Sequence, residues 1–545
     1  MTNPSPPSPP ASPLDELAAS IKKRRTFAII SHPDAGKTTL TEKLLLYSGM
    51  IHTAGMVRGR KGRKAAASDW MAMEQERGIS ITASAMQFTY KDTVINVLDT
   101  PGHEDFSEDT YRTLTAADCA IMVIDAAKGV EKQTRKLFEV CRIRRIPVLT
   151  FINKMDMPGH EPLDLMNEVE NVLGIHSCAF NWPLGMGKEF TGVVDRITKE
   201  YVMFSRTSTG GAQKADITRY PLNSPEVEKL IGKDNVTRLN EELELLDMAG
   251  NEFSVEKFLK GDVTPIFFAS ALTNFGVEPF FDAFINLAPS PQPRMVDLIK
   301  GGEDIIDPVT APFTAYVFKI QANMDKRHRD SMAFLRICSG KFDRDLVVKH
   351  HRLGREVRLS RPHGMVAGER TTLDEAFAGD VIGVINPGVF AVGDTISMKG
   401  GFNFKPMPQF QPEIFGKVIP KDVGKRKSFD KGVIQLTEEG AIQLLKPIDL
   451  SGDMIFAAVG QLQFEVMQYR LRDEYGVETL VTPMPYQCSA WLKGDIKTFQ
   501  KPSNALIVLD RYDRPVVLFR EIWEKQYAVK QNPNHQLVDI SSDAF

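Results

Sequence analysis

The eight residues Ser31-His-Pro-Asp-Ala-Gly-Lys-Thr38 join an apolar run, Phe27-Ala-Ile-Ile30, to a stretch in which Leu40, Leu44 and Tyr47 recur on one helical face. A strand that turns through Gly-Lys-Thr straight into a helix restricts the chain to α/β arrangements in which backbone N–H groups gather at the open end of that helix. The amides of Asp34 to Thr38 then point outward at the positive end of the helix dipole, where phosphate is favoured. Lys37 supplies a point charge for β- and γ-phosphates, and the Thr38 hydroxyl is a hard oxygen ligand suited to Mg²⁺. Ser31 stands where the usual pattern has its first glycine, so the expected phosphate loop runs through Ser31, His32, Pro33, Asp34, Ala35, Gly36, Lys37 and Thr38.

Three further motifs follow, each after its own strand-like run. Asp99, Thr100, Pro101, Gly102 and His103 come directly after Val94-Ile-Asn-Val-Leu98, which places Asp99 at the carboxyl end of a strand, where ligands bind in open α/β sheets. Asp99 is expected to hold Mg²⁺ through water, and the Gly102 amide to respond to the γ-phosphate. Asn153, Lys154, Met155 and Asp156 follow Pro147-Val-Leu-Thr-Phe-Ile152. The Asp156 carboxylate can accept from the ring N–H and exocyclic amine of guanine. Adenine lacks both donors and would leave the carboxylate unpaired, a mismatch of the kind that discriminates by roughly 10⁴-fold. Ser270, Ala271 and Leu272, after Ile266-Phe-Phe268, are expected to present a backbone N–H to the guanine carbonyl. The expected nucleotide is therefore GTP or GDP, with Mg²⁺.

Between the first two motifs lies Gln75-Glu-Arg-Gly-Ile-Ser80-Ile-Thr82, and with it the chain resembles the translational GTPases. In that family a threonine after Arg-Gly-Ile ligates Mg²⁺; Ser80 stands at that position here, with Thr82 as the other hydroxyl available. The resemblance also implies that His103 orients the attacking water once the ribosome arranges it, so that intrinsic hydrolysis is slow and ribosome-stimulated.

Length and composition agree with several domains: 545 residues on a prior of about 150 per domain suggest three or four. Residues 1–13 read as a disordered tail rich in Pro and Ser, without the order of a signal peptide. Residues 14–290 read as an α/β P-loop GTPase domain carrying an inserted subdomain at about 158–262, which includes Phe190-Thr-Gly-Val-Val194 and an acidic helical run from Asn240 to Met248. A hinge at Ala288-Pro-Ser-Pro-Gln-Pro293 precedes the short β-type runs of 308–400, Thr314–Ile320, Met332–Ile337 and Val381–Ile385 among them, which read as a β-barrel. Residues 408–545 read as a C-terminal α+β domain in which Phe464, Met467 and Leu471 share a core-facing helical stripe.

Five scattered cysteines without C-x-x-C spacing indicate neither a metal site nor a disulfide framework. A formal net charge of −3 excludes a generally cationic nucleic-acid binder. RNA contact is expected instead at one local patch, Arg58-Gly-Arg-Lys-Gly-Arg-Lys64. No apolar stretch approaches the roughly 20 residues of a membrane span, so a cytoplasmic monomer is expected.

Within the translational GTPases, S-H-P-D-A-G-K-T-T at the phosphate loop, S-D-W-M-A-M-E-Q-E-R-G-I-S-I from Ser68 and V-G-Q-L-Q-F-E-V from Val459 are similar to the class II release-factor branch. The resemblance implies a ribosome-dependent GTPase, partnered by rRNA and ribosomal proteins, that promotes dissociation of class I release factors after termination without needing to touch them. A translocase or ribosomal protection factor is one alternative, against which the end of the sequence at Phe545 is expected to count. A regulatory GTPase subunit of a metabolic enzyme is the other.

Overall fold

The computed structural model describes residues 12–51, 84–101, 107–205, 211–322, 331–359, 362–366, 369–407, 409–448 and 453–541. Its first layer is a seven-stranded sheet built from β1 (Arg24–Ser31), β2 (Ser84–Tyr90), β3 (Thr93–Asp99), β4 (Cys119–Asp125), β5 (Val148–Asn153), β6 (His176–Ala179) and the strand Val263–Phe268. β2 runs antiparallel to β3 at one edge, and the remaining pairs are parallel. Strands covered on both faces must be apolar throughout, and β4 is buried at every position. Leu40, Leu44 and Tyr47 of the helix Lys37–Ser48 pack against Phe27, Ile29 and Ile121 on one face. The helix Lys132–Arg144 covers the other with Leu137 and Phe138. Burying each of these side chains stabilises the layer by about 1.5–3 kcal/mol.

The inserted stretch begins within the main sheet. The helix Pro162–Leu173 and β6 lie inside the expected 158–262 interval, yet β6 pairs in parallel with Val263–Phe268 and extends the main sheet. The reason is physical: Val263–Phe268 is buried at all six positions, and as an edge it would expose an apolar ladder. Next come β7 (Asn181–Leu184), β8 (Gly192–Asp195), β9 (Glu200–Ser205) and β10 (Asp216–Pro221), a separate antiparallel sheet in the order β10-β9-β8-β7; the strand Val263–Phe268 is thus β11. Trp182 stands edge-on to Phe268 at 5.5 Å, so the two sheets share one core. The acidic run falls within the helix Lys233–Ala249.

The expected barrel is an eight-stranded antiparallel sheet centred on Thr314–Ala322, Ser331–Ser339 and Val381–Asn386, folded around Val317, Leu335, Ile337 and Ile382. Ser12 caps the helix Pro13–Lys22, which therefore takes in the last residue of the expected tail. Ile21 of that helix is buried with the barrel core. The stretch after the proline hinge is paired as well: Arg294–Leu298 lies between Glu303–Ile306 and Phe402–Phe404. The C-terminal part combines an eight-stranded sheet with the helices Arg426–Glu439, Gln461–Tyr475 and Ile522–Gln531. Phe464, Met467 and Leu471 sit in its core.

Two buried carboxylates fasten the nucleotide domain to the barrel. Asp380 accepts from Arg24 at 2.8 Å and from Gln87 at 3.0 Å. Asp118, at the foot of β4, pairs with Arg336 and lies 3.4 Å from Arg294. Removing one member of a buried ion pair leaves its partner's charge uncompensated at a cost of about 3–5 kcal/mol. Asp380→Ala is accordingly expected to lower the unfolding free energy obtained from urea denaturation by about 3–5 kcal/mol, with a lower midpoint, whereas an unchanged denaturation curve would show that the domains are held by other contacts.

Candidate functional site

The C-terminal ends of β1, β3, β5 and β11 converge on one edge of the sheet, and the phosphate-loop, Asp99-Thr-Pro, Asn153–Asp156 and Ser270–Leu272 motifs lie there. β1 sits between β3 and β4, where the order of strands reverses and a crevice opens. The phosphate loop leaves β1 and turns through Asp34 (φ 66) and Gly36 (φ 96) into the helix Lys37–Ser48. Gly36 is required twice over: its φ is left-handed, and a Cβ there would collide with the Asn153 side-chain amide. Among the described residues no side chain caps this helix, and the start of a helix is where an anion is favoured.

Asn153 ties the site together. Its Nδ2 donates to the Ala35 carbonyl at 2.7 Å, and its Oδ1 accepts from the Ala271 N–H at 2.9 Å. One side chain thus joins the phosphate loop to the Ser270–Leu272 loop across more than a hundred residues of sequence. Ser270 Oγ donates to Asp156 Oδ1 at 2.6 Å and fixes the carboxylate. Lys154, at φ 68, donates to Asp125 at 2.7 Å. Burial opposes ionisation of Asp125, but the Lys154 ammonium and the Ala127 N–H outweigh it and hold the carboxyl below its ordinary value. Met155 is fully buried and contributes backbone only, whereas the Leu272 side chain is half exposed beside the loop. Ser270 N–H donates to the Phe275 carbonyl at 2.8 Å.

Lys37 and Asp99 face one another at 3.5 Å, both almost fully buried. Thr100 donates its hydroxyl to the Ile29 carbonyl at 2.6 Å, which seats the start of the Asp99-Thr-Pro-Gly segment on β1; Pro101 is buried beside it. Ser31 Oγ and both ring nitrogens of His32 are buried and have no hydrogen-bond partner among the described residues. Burial pulls the His32 imidazole down, and Glu131, 3.7 Å away, only partly offsets this. Thr38, in the first turn of the helix Lys37–Ser48, and Asp99, the last residue of β3 beside the buried Lys37, carry oxygen donors of the kind that suit a hard divalent ion. Gly102, His103, Ser80, Thr82 and the basic patch Arg58–Lys64 lie outside the described residues.

The site also uses residues that sequence motifs did not single out. Asp125 ends β4 and anchors Lys154; its place at a strand terminus was the available signal. Lys43 is buried in the phosphate-loop helix and donates to the Gly211 carbonyl.

Residues 22–290 match the elongation factor Tu GTP binding domain, residues 312–399 match elongation factor G domain 2, and residues 404–529 match the class II release factor RF3 C-terminal domain. Together with the loops at the strand ends, these matches define a translational GTPase. Proteins named peptide chain release factor 3 are 51% identical in Microcystis aeruginosa, over 97% of this chain and 97% of that one. In Symbiobacterium thermophilum the identity is 51%, over 95% of this chain and 98% of the relative. The chain belongs to the peptide chain release factor 3 family. It is a guanine-nucleotide-binding GTPase of protein biosynthesis, with its role in translation termination and release-factor recycling. A crystal structure from Thermus thermophilus shares the fold with a TM-score of 0.67 at 21% identity, covering 89% of this chain and 73% of that one.

Two measurements test the geometry. Gly36→Ala is expected to weaken fluorescent-GDP binding by at least about 100-fold, because the strained φ and the displaced Asn153 together involve several kcal/mol; near-normal affinity would contradict the packing described. Burial pulls Lys43 down to about 8. Between that value and the ordinary lysine value of 10.5 the unfolded chain binds the proton that the folded chain has lost, so Lys43 makes stability rise with pH across this window. Below pH 8 the buried charge is retained at a cost. Lys43→Met should remove this rise, seen as a wild-type minus mutant difference in melting temperature that increases from pH 8 to 10.

Proposed function

We propose that this protein is a ribosome-stimulated GTPase that uses GTP-dependent rearrangement to expel class I release factors from the ribosome after termination. The observation that carries the nucleotide part is the Asn153 bridge, which holds the phosphate loop and the guanine loop at once while Ser270 orients Asp156. Asp156 accepts from guanine. Leu272 supplies the N–H to the guanine carbonyl, since the amides of Ser270 and Ala271 are engaged within the protein. The Lys154 stem lies over the base. Lys37 neutralises the terminal phosphates; Thr38 and Asp99, with Ser80 or Thr82 as a further oxygen, are the residues that would hold Mg²⁺, which when bound would supply charge to stabilise phosphoryl transfer. His103 orients the attacking water.

Nucleotide state reaches the C-terminal domain through the helix Ser107–Thr115, which begins four residues after His103. Arg112 of this helix donates to the Glu439 carbonyl at 3.1 Å, and Tyr111 stacks on Phe410 at 3.7 Å. A γ-phosphate that reorders the Asp99–His103 segment therefore biases the seating of the C-terminal domain, which is a population shift rather than a push. The class I factor leaves because the ribosomal state it favours is depleted, and direct contact is not required. A monomer in the cytoplasm suffices for this role; among the described residues no helix is long and apolar enough to cross a membrane. The match of residues 404–529 to a release-factor C-terminal domain supports this reading over a translocase or a metabolic regulatory subunit.

Release of a labelled class I factor from post-termination ribosomes tests the proposal. GTP, but not GDP, should accelerate release, and no acceleration with intact ribosome-stimulated hydrolysis would move the assignment to another ribosomal GTPase. His103→Ala should leave GTP affinity within about threefold of wild type and abolish the ribosome-stimulated rate, a loss on the order of 10³-fold or more; unchanged turnover would remove His103 from the mechanism.

A further inference from the structure

The loop joining β9 to β10 is described from Gly211 onward, and it turns back into the nucleotide domain. The Gly211 carbonyl accepts from Lys43 Nζ on the phosphate-loop helix and from Asn274 Nδ2 at 2.8 Å. Asn274 also donates to the Gln213 carbonyl. Lys214 donates to the Tyr47 carbonyl at 3.2 Å, with its ammonium 5.2 Å from the centre of that ring. A Cβ built on Gly211, whose φ is 86, would collide with the carbonyl oxygen of Leu272. The insertion loop is therefore wedged between the helix that begins at Lys37 and the loop Ser270–Leu272, with Asn274 almost fully buried at the junction.

Asn274 follows Leu272 by two residues and takes up φ 68, a left-handed conformation that asparagine tolerates better than most residues. Its amide has two carbonyl acceptors on one strand of the insertion loop, so the guanine loop cannot swing outward without breaking both bonds in a buried setting. On the opposite side Lys43 and Tyr47 hold the same four residues against the phosphate-loop helix. The Asn153 bridge is thereby duplicated at the outer rim of the site by a bridge that passes through the insertion.

We infer that the loop Gly211–Lys214 of the insertion, acting through Asn274 and Lys43, positions the guanine loop and sets the rate at which guanine nucleotide leaves. The inference rests on the guanine-nucleotide reading of Ser270–Leu272 given above. It makes the insertion a lever on the nucleotide: a partner that displaces Gly211–Lys214 loosens Leu272, and one that clamps these four residues retains the nucleotide. Asn274, Lys43 and Gly211 are positioning residues and none of them needs to touch the ligand.

Stopped-flow dissociation of a fluorescent GDP from the full chain tests this. Asn274→Gly removes the amide while keeping the left-handed backbone available, and Gly211→Ala presses directly on Leu272. Both are expected to accelerate GDP dissociation by about tenfold or more, the effect of losing one to two buried hydrogen bonds. The association rate constant should stay within about twofold of wild type in both, and the melting temperature of nucleotide-free Asn274→Gly within a few degrees; Gly211→Ala, which carries its own clash, is judged by the two rate constants. A merely structural role would lower the melting temperature and slow association together, and that pattern overturns the inference. Dissociation within about twofold of wild type in both variants overturns it as well. Should Asn274→Gly fail to fold, Gly211→Ala and Lys43→Met decide the matter by the same criteria. If the wild-type chain does not bind GDP, the guanine reading itself falls; if it binds and the variants release GDP normally, only the present inference falls.

Discussion

The nucleotide site depends on one buried amide. Asn153 satisfies an acceptor on the phosphate loop and a donor on the guanine loop with the two ends of a single side chain. Neither loop has regular structure of its own, so without that side chain the Ala35 carbonyl and the Ala271 N–H would be left buried and unpaired. The glycine at position 36 exists to admit it, since any Cβ there would occupy the place of the amide. The register of the sheet in turn fixes Asn153 beside Asp125, the last residue of β4. A parallel α/β layer thus becomes a binding site because its strands end level with one another.

The larger assembly is organised by charges that are buried and paired. Asp118 and Asp380 fasten the barrel to the back of the nucleotide layer through Arg336, Arg294 and Arg24. Burying such pairs adds little net stability compared with apolar packing, but it penalises every other orientation heavily. The contact with the C-terminal domain is of a different kind: a helix face carrying Tyr111 and Arg112 meets Phe410 and the Glu439 carbonyl. The barrel is thus held by buried ion pairs, and the C-terminal domain by a ring stack and a hydrogen bond to a backbone carbonyl.

Much of this was legible in the sequence, and for a definite reason. A loop that follows an apolar strand and precedes a helix can be located without knowing the rest of the fold, which is why Ser31–Thr38, Asn153–Asp156 and Ser270–Leu272 fall where expected. The barrel strands and the Phe464, Met467 and Leu471 stripe were legible through periodicity. What sequence did not disclose are contacts whose partners lie far apart in the chain. Asn274 looks like an ordinary turn residue until Gly211 is placed beside it. Likewise the start of the inserted subdomain gives no sign in the sequence that β6 pairs with β11 in the main sheet. Lys43 sits in a helical pattern that gives no hint of burial, because the group covering it comes from an insertion.

The central claim, that Asp156 held by Ser270 reads a guanine base, is tested most directly by titrating Asp156→Asn with GDP and with xanthosine diphosphate. An amide offers xanthine the donor that its carbonyl requires and cannot accept both guanine donors, so preference should pass from GDP to the xanthosine nucleotide, a change of at least about 100-fold in the ratio of affinities. Retention of strict guanine preference would contradict the account.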